Sequence, residues 1–453
     1  MNPNIAANGG AQKFKKVVLL YSGGLDTSVL LKWIQENYGA KLITLTADLG
    51  QPGLELEQIR KKALALGAEK AHVADVKKEF ACDYVAKAIK ANALYQDTYP
   101  LSTALGRPLI AKLAVELAEK EGADAIAHGC TGKGNDQVRL EVGIACLNPE
   151  LKVLAPVREW GLSREEEIAY AKKHGIPIPA ENKTYSTDEN LWGKSTEGGI
   201  MEHPEEIAPE DAYSLVSLPE KAPPQPEFIL LEFEKGVPTA LNGEKLPLHE
   251  LILALNVLAA KHGVGVCEHM EDRIVGLKTR EFYECSAAEC IIKAHKALEK
   301  YVHTIHENTF KQVLEDKWAY MAYAGLWYDP LMASLNAFME ESNKNVSGKV
   351  KLKLYKGSCH VAALSSPHAL YDLNLATYGK GSLFDQSAAK GFIELWGLQS
   401  KLANQIARSN AEMEQAVIEK AKKEKLETEP NGGASNGRNM PGMRGKIGAK
   451  AQA

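Results

Sequence analysis

The sequence predicts an α/β protein: a doubly wound parallel sheet, then an α+β domain, then a helical C-terminal extension. Three observations carry this. Short apolar runs alternate with stretches of helical spacing as far as about residue 175. Prolines at 177, 179, 204, 209, 219, 223, 224 and 226 then punctuate a long irregular connection, beyond which strand-like and helical runs mix. From Leu398 to about Leu426 the chain is one helical pattern.

Val17–Tyr21 is an apolar run closed by Ser-Gly-Gly and reads as a buried strand. Residues 26–37 carry Val29, Leu30, Trp33 and Ile34 at helical spacing. Strand 42–47, helix 54–66, strand 72–74 and helix 76–94 follow. Next come helix 103–121, strand 123–127, helix 135–147 and strand 152–155. Helix 163–174 opens on Ser163 and Glu166, a capping-box spacing. Strands alternating with helices of this length build a parallel sheet covered on both faces. The second part offers strands 228–233, 349–355 and 361–364, and helices 248–262, 287–301, 309–325 and 330–344. No internal repeat is evident. In the last helix, Leu402, Ile406, Met413 and Val417 form a stripe able to dock on the protein's own body or on a neighbouring subunit. The final 24 residues hold six Gly with Asn, Ser and Pro and read as disordered.

Composition bounds the function. At about 100–200 residues per domain, 453 residues make two or three domains. Lys plus Arg number 54 against 58 Asp plus Glu, which weighs against a nucleic-acid backbone or an anionic membrane as partner. The charge is uneven: residues 401–453 carry ten Lys/Arg against six Asp/Glu, so an acidic body bears a basic tail. Seven scattered cysteines without C-x-x-C spacing suggest reduced thiols, not a zinc ribbon or disulfide scaffold. The first residues lack the apolar core of a signal peptide, and the richest apolar stretch, Leu251–Ala260, is interrupted by Asn256. A cytoplasmic protein is expected.

Two loops carry the chemistry. Ser22-Gly23-Gly24-Leu25-Asp26-Thr27-Ser28 lies between a strand and a helix, where backbone N–H groups and the helix dipole receive anions. Its glycines let a phosphate approach, and Ser22, Thr27 and Ser28 add hydroxyls. The Walker A pattern fails for want of Gly-Lys, and the dinucleotide fingerprint fails because the glycines are adjacent. Two glycines alone could be a plain turn; three hydroxyl residues and an Asp beside them match the PP-loop of ATP pyrophosphatases. The second loop, His128-Gly129-Cys130-Thr131-Gly132-Lys133-Gly134-Asn135-Asp136, also follows a strand and opens a helix. Arg139 stands one turn on, so a carboxylate, an amide and a guanidinium share one helix start. That set suits a zwitterion, Arg forking a carboxylate and Asp holding an ammonium. Standing alone, the segment would more readily be a capped helix with a solvated Arg.

YSGGLDTS and HGCTGKGNDQVR, joined by ALYQDTYPLSTALGRP and followed by YSTDENLWG, together resemble the argininosuccinate synthase family. The resemblance continues through FEKGVP, LNGEKL, KHGVG, REFYE, IKAH, LKLYKG, LYDLNLAT and GFIELWGL, covering about residues 15–400. It implies a PP-loop, HUP-like ATP-binding domain over 14–175 and a synthetase and multimerisation domain over 176–397. It further implies an oligomerisation helix over 398–428 and a homotetramer. The implied reaction condenses citrulline with aspartate through citrullyl-AMP, using ATP and Mg²⁺.

Residue by residue, the resemblance puts ATP on Leu20, Tyr21, Ser22, Gly23, Gly24, Leu25, Asp26, Thr27, Ser28, Ala47, Gly129, Lys133 and Gly134. Citrulline falls to Tyr99, Asn135, Arg139, Ser186, Ser195, Glu271 and Tyr283, and aspartate to Thr103, Thr131, Asn135 and Asp136. Asp26, Asp136 and Arg139 are the expected catalytic groups. No resident metal is expected, since Mg²⁺ would arrive with ATP, with Asp26 as a possible ligand. The chain departs from the family pattern at Ser102-Thr103, Ala104 and the Cys285–Cys290 segment. Those two thiols suggest either redox control or a repacked loop, and Cys130 reads as a small spacer. Rival readings are another PP-loop adenylating enzyme, acting on a tRNA base, a carboxylate or xanthosine monophosphate, and a non-catalytic binding protein. The acidic body, the lack of a Cys pair for sulfur transfer and the lack of a glutaminase domain weigh against the first. The intact loops weigh against the second.

Overall fold

The computed structural model describes residues 14–53, 55–160, 164–178, 185–379 and 381–427. Its contacts divide the chain into two compact units, meeting in sequence at Tyr371 and Asp372. In the first unit, β1 (Lys16–Leu20), β2 (Lys41–Asp48), β3 (Lys70–Asp75), β4 (Ala125–Ala127) and β5 (Lys152–Leu154) form a parallel sheet. Their order is β3-β2-β1-β4-β5. Apolar side chains leave both faces, as a doubly covered sheet requires. Val17, Leu19 and Leu42 pack with Val29, Leu30 and Ile34 of helix Leu25–Tyr38. Val18, Ile43 and Ile126 pack with Ala111, Ala114 and Ala118 of helix Ser102–Glu121. The sheet order places β2 on one side of β1 and β4 on the other. Loops leaving the carboxyl ends of β1 and β4 therefore diverge and open a crevice between them.

The expected helix 76–94 is shorter and broken. A π-helical stretch, Phe80–Val85, separates Lys77–Glu79 from Ala86–Lys90. The helix stops there because Asn92 takes a left-handed conformation, with φ at 44°, and its amide donates to Glu299 and Glu315. Helix Arg164–Lys173 is present, while the Ser163 of its expected capping box lies outside the described residues.

The later strands are β6 (Ser186–Asn190), β7 (Gly193–Glu197), β8 (Glu227–Glu234), β9 (Val237–Leu241) and β10 (Glu244–Lys245). They continue with β11 (Val266–Asp272), β12 (Lys278–Glu284), β13 (Gly348–Tyr355) and β14 (Ser358–Ser365). Two antiparallel sheets result, ordered β11-β12-β7-β6 and β10-β9-β8-β13-β14. The connection expected to be irregular thus contains a hairpin, β6–β7, and sequence reading also misses β9 to β12. STDEN, GKSTE and KTREFYE are polar because part of this sheet lines a polar cavity, so they lack the alternation that marks a half-buried strand. Register aligns Asp188 with Ser195, and Ser195 with Tyr283. The four expected helices appear as Leu248–Lys261, Ser286–Val302, Ile305–Tyr323 and Pro330–Ser342. The third starts early because Thr304 and Glu307 form a capping box.

The second unit contains helices Leu373–Ala376, Ala388–Trp396 and Leu398–Glu427. Leu402, Ile406, Met413 and Val417 are all exposed on the last of these. The 24-residue tail lies outside the described residues. Among the described residues, no helix is long and apolar enough to cross a membrane.

Candidate active site

A cavity of about 360 Å³ opens at the carboxyl ends of β1 and β2, lined by Leu20, Tyr21, Ser22, Gly24, Asp26, Thr27, Ala47 and Gly129. Gly24 is the N-cap of helix Leu25–Tyr38 and no side chain caps it, so its first turn presents backbone donors. Gly23 sits at φ 80°, and a Cβ there would lie 2.9 Å from Ile59, so neither conformation nor space admits a side chain. Ser22 and Thr27 join hydroxyls at 3.1 Å beside the cavity. Ser28 does something else: fully buried, it donates to the Gly24 carbonyl (2.6 Å) and bonds the Tyr21 hydroxyl, shaping the loop from behind. Lys62 donates to the Gly23 carbonyl at 2.8 Å, and burial pushes its pKa down. Gly23, Leu25, Lys133 and Gly134 are not among the lining residues: Leu25 is in the core, Lys133 is exposed, and Gly134 faces a second cavity.

That second cavity, about 280 Å³, gathers the expected amino-acid residues from distant parts of the chain. Tyr99, Thr103, Thr131, Asn135, Asp136 and Arg139 come from the nucleotide-loop side. Ser186, Ser195, Glu271 and Tyr283 come from the β11-β12-β7-β6 sheet. Asp26, Gly129, Cys130 and Asp188 line both cavities, so the two share a wall.

The shared wall is strongly charged. Arg107, from helix Ser102–Glu121, donates to Asp136 at 2.6 Å and to Asp188. Arg139 donates to the other Asp136 oxygen at 2.9 Å. Burial opposes the Asp136 charge, but the two guanidiniums outweigh it and hold the carboxyl at about 2. Among the described lining residues of the first cavity, Arg107 is the one Lys or Arg. Sequence reading quotes the ALGRP segment without assigning Arg107. The available signal is an arginine set among Ala104, Leu105, Gly106, Pro108 and Leu109, since a charge inside an apolar helix needs a partner.

On the sheet side, Glu271 is buried and accepts hydrogen bonds from the Tyr283 and Tyr323 hydroxyls, one on each oxygen. Burial works against its charge, yet the nearby His269 (3.6 Å) and the bonds from Tyr283 and Tyr323 outweigh that and hold the carboxyl below the usual glutamate range. Arg273, also unassigned by sequence, donates to Glu281 (2.6 Å), to Glu197 and to the Lys133 carbonyl (3.2 Å), tying the sheet to the second loop. Glu281 is raised by burial and by the nearby Glu271 and Glu197. The Tyr99 ring stacks on Tyr283 at 3.9 Å, and its hydroxyl accepts from the Thr103 N–H at 2.8 Å. Thr103 and Ser195 meet through their hydroxyls at 3.3 Å.

Cys285 and Cys290 are both buried. Burial pushes the Cys285 thiol up, and a hydrogen bond with Cys359, reinforced by burial, raises that of Cys290. Such thiols are packing groups rather than reactive ones, in line with a repacked loop. Cys130 sits in the shared wall, where burial and Asp136 push it up to about 12.

Comparison with known proteins agrees with this architecture. The arginosuccinate synthase N-terminal HUP domain matches residues 16–177, and the arginosuccinate synthase C-terminal domain matches residues 185–403. An argininosuccinate synthase of Pyrococcus furiosus is 55% identical over 388 residues, covering 86% of this chain and 94% of its own. Those of Symbiobacterium thermophilum and Geobacillus kaustophilus are 52% and 54% identical. They cover 88% and 87% of this chain, and 99% and 97% of their own. The chain belongs to the argininosuccinate synthase family.

Proposed function

We propose that this ligase condenses L-citrulline with L-aspartate at the expense of ATP, giving argininosuccinate, AMP and pyrophosphate, the penultimate step of arginine biosynthesis. The observation that carries the reading is the shared wall: an anion-receiving loop cavity and a zwitterion-sized polar cavity meet at Asp26, Gly129, Cys130 and Asp188. A phosphate in one and a ureido group in the other are then neighbours. The ureido oxygen of citrulline attacks the α-phosphorus, the P–O bond to pyrophosphate breaks, and citrullyl-AMP forms. The aspartate amine then attacks the ureido carbon, AMP leaves with the C–O bond electrons, and the amine proton is released.

The residues do this by position and electrostatics. The first turn of helix Leu25–Tyr38, with Ser22 and Thr27, receives the pyrophosphate, and Ala47 lines the nucleotide side. Arg107 stands where charge gathers on the α-phosphate. Glu271 takes the citrulline ammonium, with Tyr99, Ser186, Ser195, Tyr283 and Arg139 around the rest of it. Thr103, Thr131 and Asn135 seat aspartate, and Asp136 takes its amine. A carboxyl held at about 2 is a weak base, so Asp136 orients the amine rather than accepting its proton. Among the described residues no cluster of three or more His, Cys, Asp or Glu could cage a metal. One carboxylate, Asp26, at the loop fits a Mg²⁺ carried by the triphosphate, which Mg²⁺ sites commonly use. When bound, the ion neutralises phosphate charge.

The same reading makes 14–175 the ATP-binding domain, which also seats aspartate and one side of citrulline, 176–397 the synthetase domain that completes the amino-acid site, and 398–428 the subunit-association helix. It makes the enzyme a cytoplasmic homotetramer, supported by the exposed stripe on the last helix. The test is omission. Argininosuccinate, AMP and pyrophosphate should appear in equal amounts only when ATP, citrulline and aspartate are all present. Equal pyrophosphate release with both amino acids left out would contradict the proposal.

A further inference from the structure

Tyr323 ends helix Ile305–Tyr323, is fully buried, and does not line the amino-acid cavity. Yet three of the groups that do line it converge on this one residue. Its hydroxyl accepts from the Asn135 side-chain N–H at 2.7 Å and donates to Glu271. Its carbonyl accepts from Arg139 Nε at 2.8 Å, and the Arg139 guanidinium lies 4.7 Å from its ring centroid. Tyr95 stacks on the ring at 3.5 Å.

The polarity of this chain of bonds is fixed. Asn135 Oδ1 accepts from the Ile274 N–H at 3.0 Å, so its NH₂ group must face Tyr323. A tyrosine hydroxyl has one proton to give, and a carboxylate can only accept it. The proton therefore points to Glu271, and a 3.2 Å approach to the Asp272 carbonyl is the lesser branch. Asn135 and Ile274 belong to opposite sides of the cavity, so the relay also joins the second loop to the β11–β12 connection.

We infer that Tyr323 is a positioning residue for citrulline, its hydroxyl aiming the Glu271 carboxylate and locking the Asn135 amide without touching the substrate. This rests on the reading that Glu271 takes the citrulline ammonium. Tyr323→Phe isolates the hydroxyl, because the ring contacts with Tyr95 and Arg139 and the carbonyl bond to Arg139 remain. It leaves a buried N–H and a buried carboxylate oxygen each short of a partner, a loss that raises KM for citrulline about tenfold or more. KM for ATP stays within about twofold, which a general loosening of the fold would not give.

The experiment measures kcat, the three KM values and thermal unfolding for wild type, Tyr323→Phe, Glu271→Gln and the double variant. Because the hydroxyl acts largely through Glu271, Tyr323→Phe should add little in the Glu271→Gln background. Full additivity, or a rise in KM for ATP as large as that for citrulline, would overturn the inference while leaving the Glu271 reading intact. An unchanged citrulline KM in Glu271→Gln would instead overturn that reading, and the inference with it.

Discussion

The nucleotide cavity takes its anion-binding power from backbone: an uncapped helix start, two glycines and two hydroxyls, with Arg107 as its cation. The amino-acid cavity beside it is walled by side-chain charge, with Asp136 between two arginines, Glu271 under two tyrosine hydroxyls and Arg273 between two glutamates. The difference matches the ligands proposed for the two cavities. A triphosphate is uniformly anionic, and aligned N–H groups meet it without the desolvation that several buried cations would incur. Two zwitterions need a positive and a negative contact each, in fixed places, and paired ionic groups keep those contacts aimed while neutralising one another.

The comparison can be broken at its seam. Arg107→Gln removes the cation that lines the nucleotide cavity and pairs with Asp136 and Asp188 of the amino-acid cavity, and the loss of one preorganised charge-stabilising donor should lower kcat about 100- to 1,000-fold. A smaller loss confined to aspartate KM would show that Arg107 serves the amino-acid side alone. Gly23→Ala tests the backbone side. A residue forced to φ 80° with its Cβ 2.9 Å from Ile59 should cost about 1–3 kcal/mol of stability, read by denaturant unfolding, and raise KM for ATP more than for citrulline.

The smallest effect concerns acid. Asp136, held at about 2, contributes stability that is present above the ordinary aspartate value of about 3.9 and is lost as pH falls toward about 2. Asp136→Asn should therefore lower stability at neutral pH and make its decline between about pH 4 and pH 2 shallower. An unchanged acid slope in unfolding curves would show that the two guanidiniums do not act on this carboxyl as described.

How far each region was legible in the sequence follows the same division. The PP-loop is local, since seven consecutive residues set its turn, helix start and glycine geometry, and four of them, Ser22, Gly24, Asp26 and Thr27, line the cavity. Even there Ser28 turns inward, because its hydroxyl reaches Gly24 of the preceding turn. The amino-acid cavity depends on pairings far apart in the chain. Arg107 meets Asp188 through the register of a hairpin that reads as irregular, and Tyr323 meets Asn135 across 188 residues. Polar strands such as STDEN show no alternation to betray them. Family resemblance supplied the residues expected to touch ligand, but not those that hold them in place.

The central claim is that the reaction runs across the shared wall: citrulline in the amino-acid cavity is adenylated by ATP in the nucleotide cavity, and Asp136 serves the later capture of aspartate rather than that first step. Asp136→Asn measures this directly, because Arg107 keeps Asp188 as its partner in the variant. Citrulline-dependent exchange of labelled pyrophosphate into ATP, without aspartate, reports the first step alone, and argininosuccinate formation reports both. The account predicts exchange within about tenfold of wild type while net synthesis falls at least about 100-fold. Exchange and synthesis falling together would contradict it.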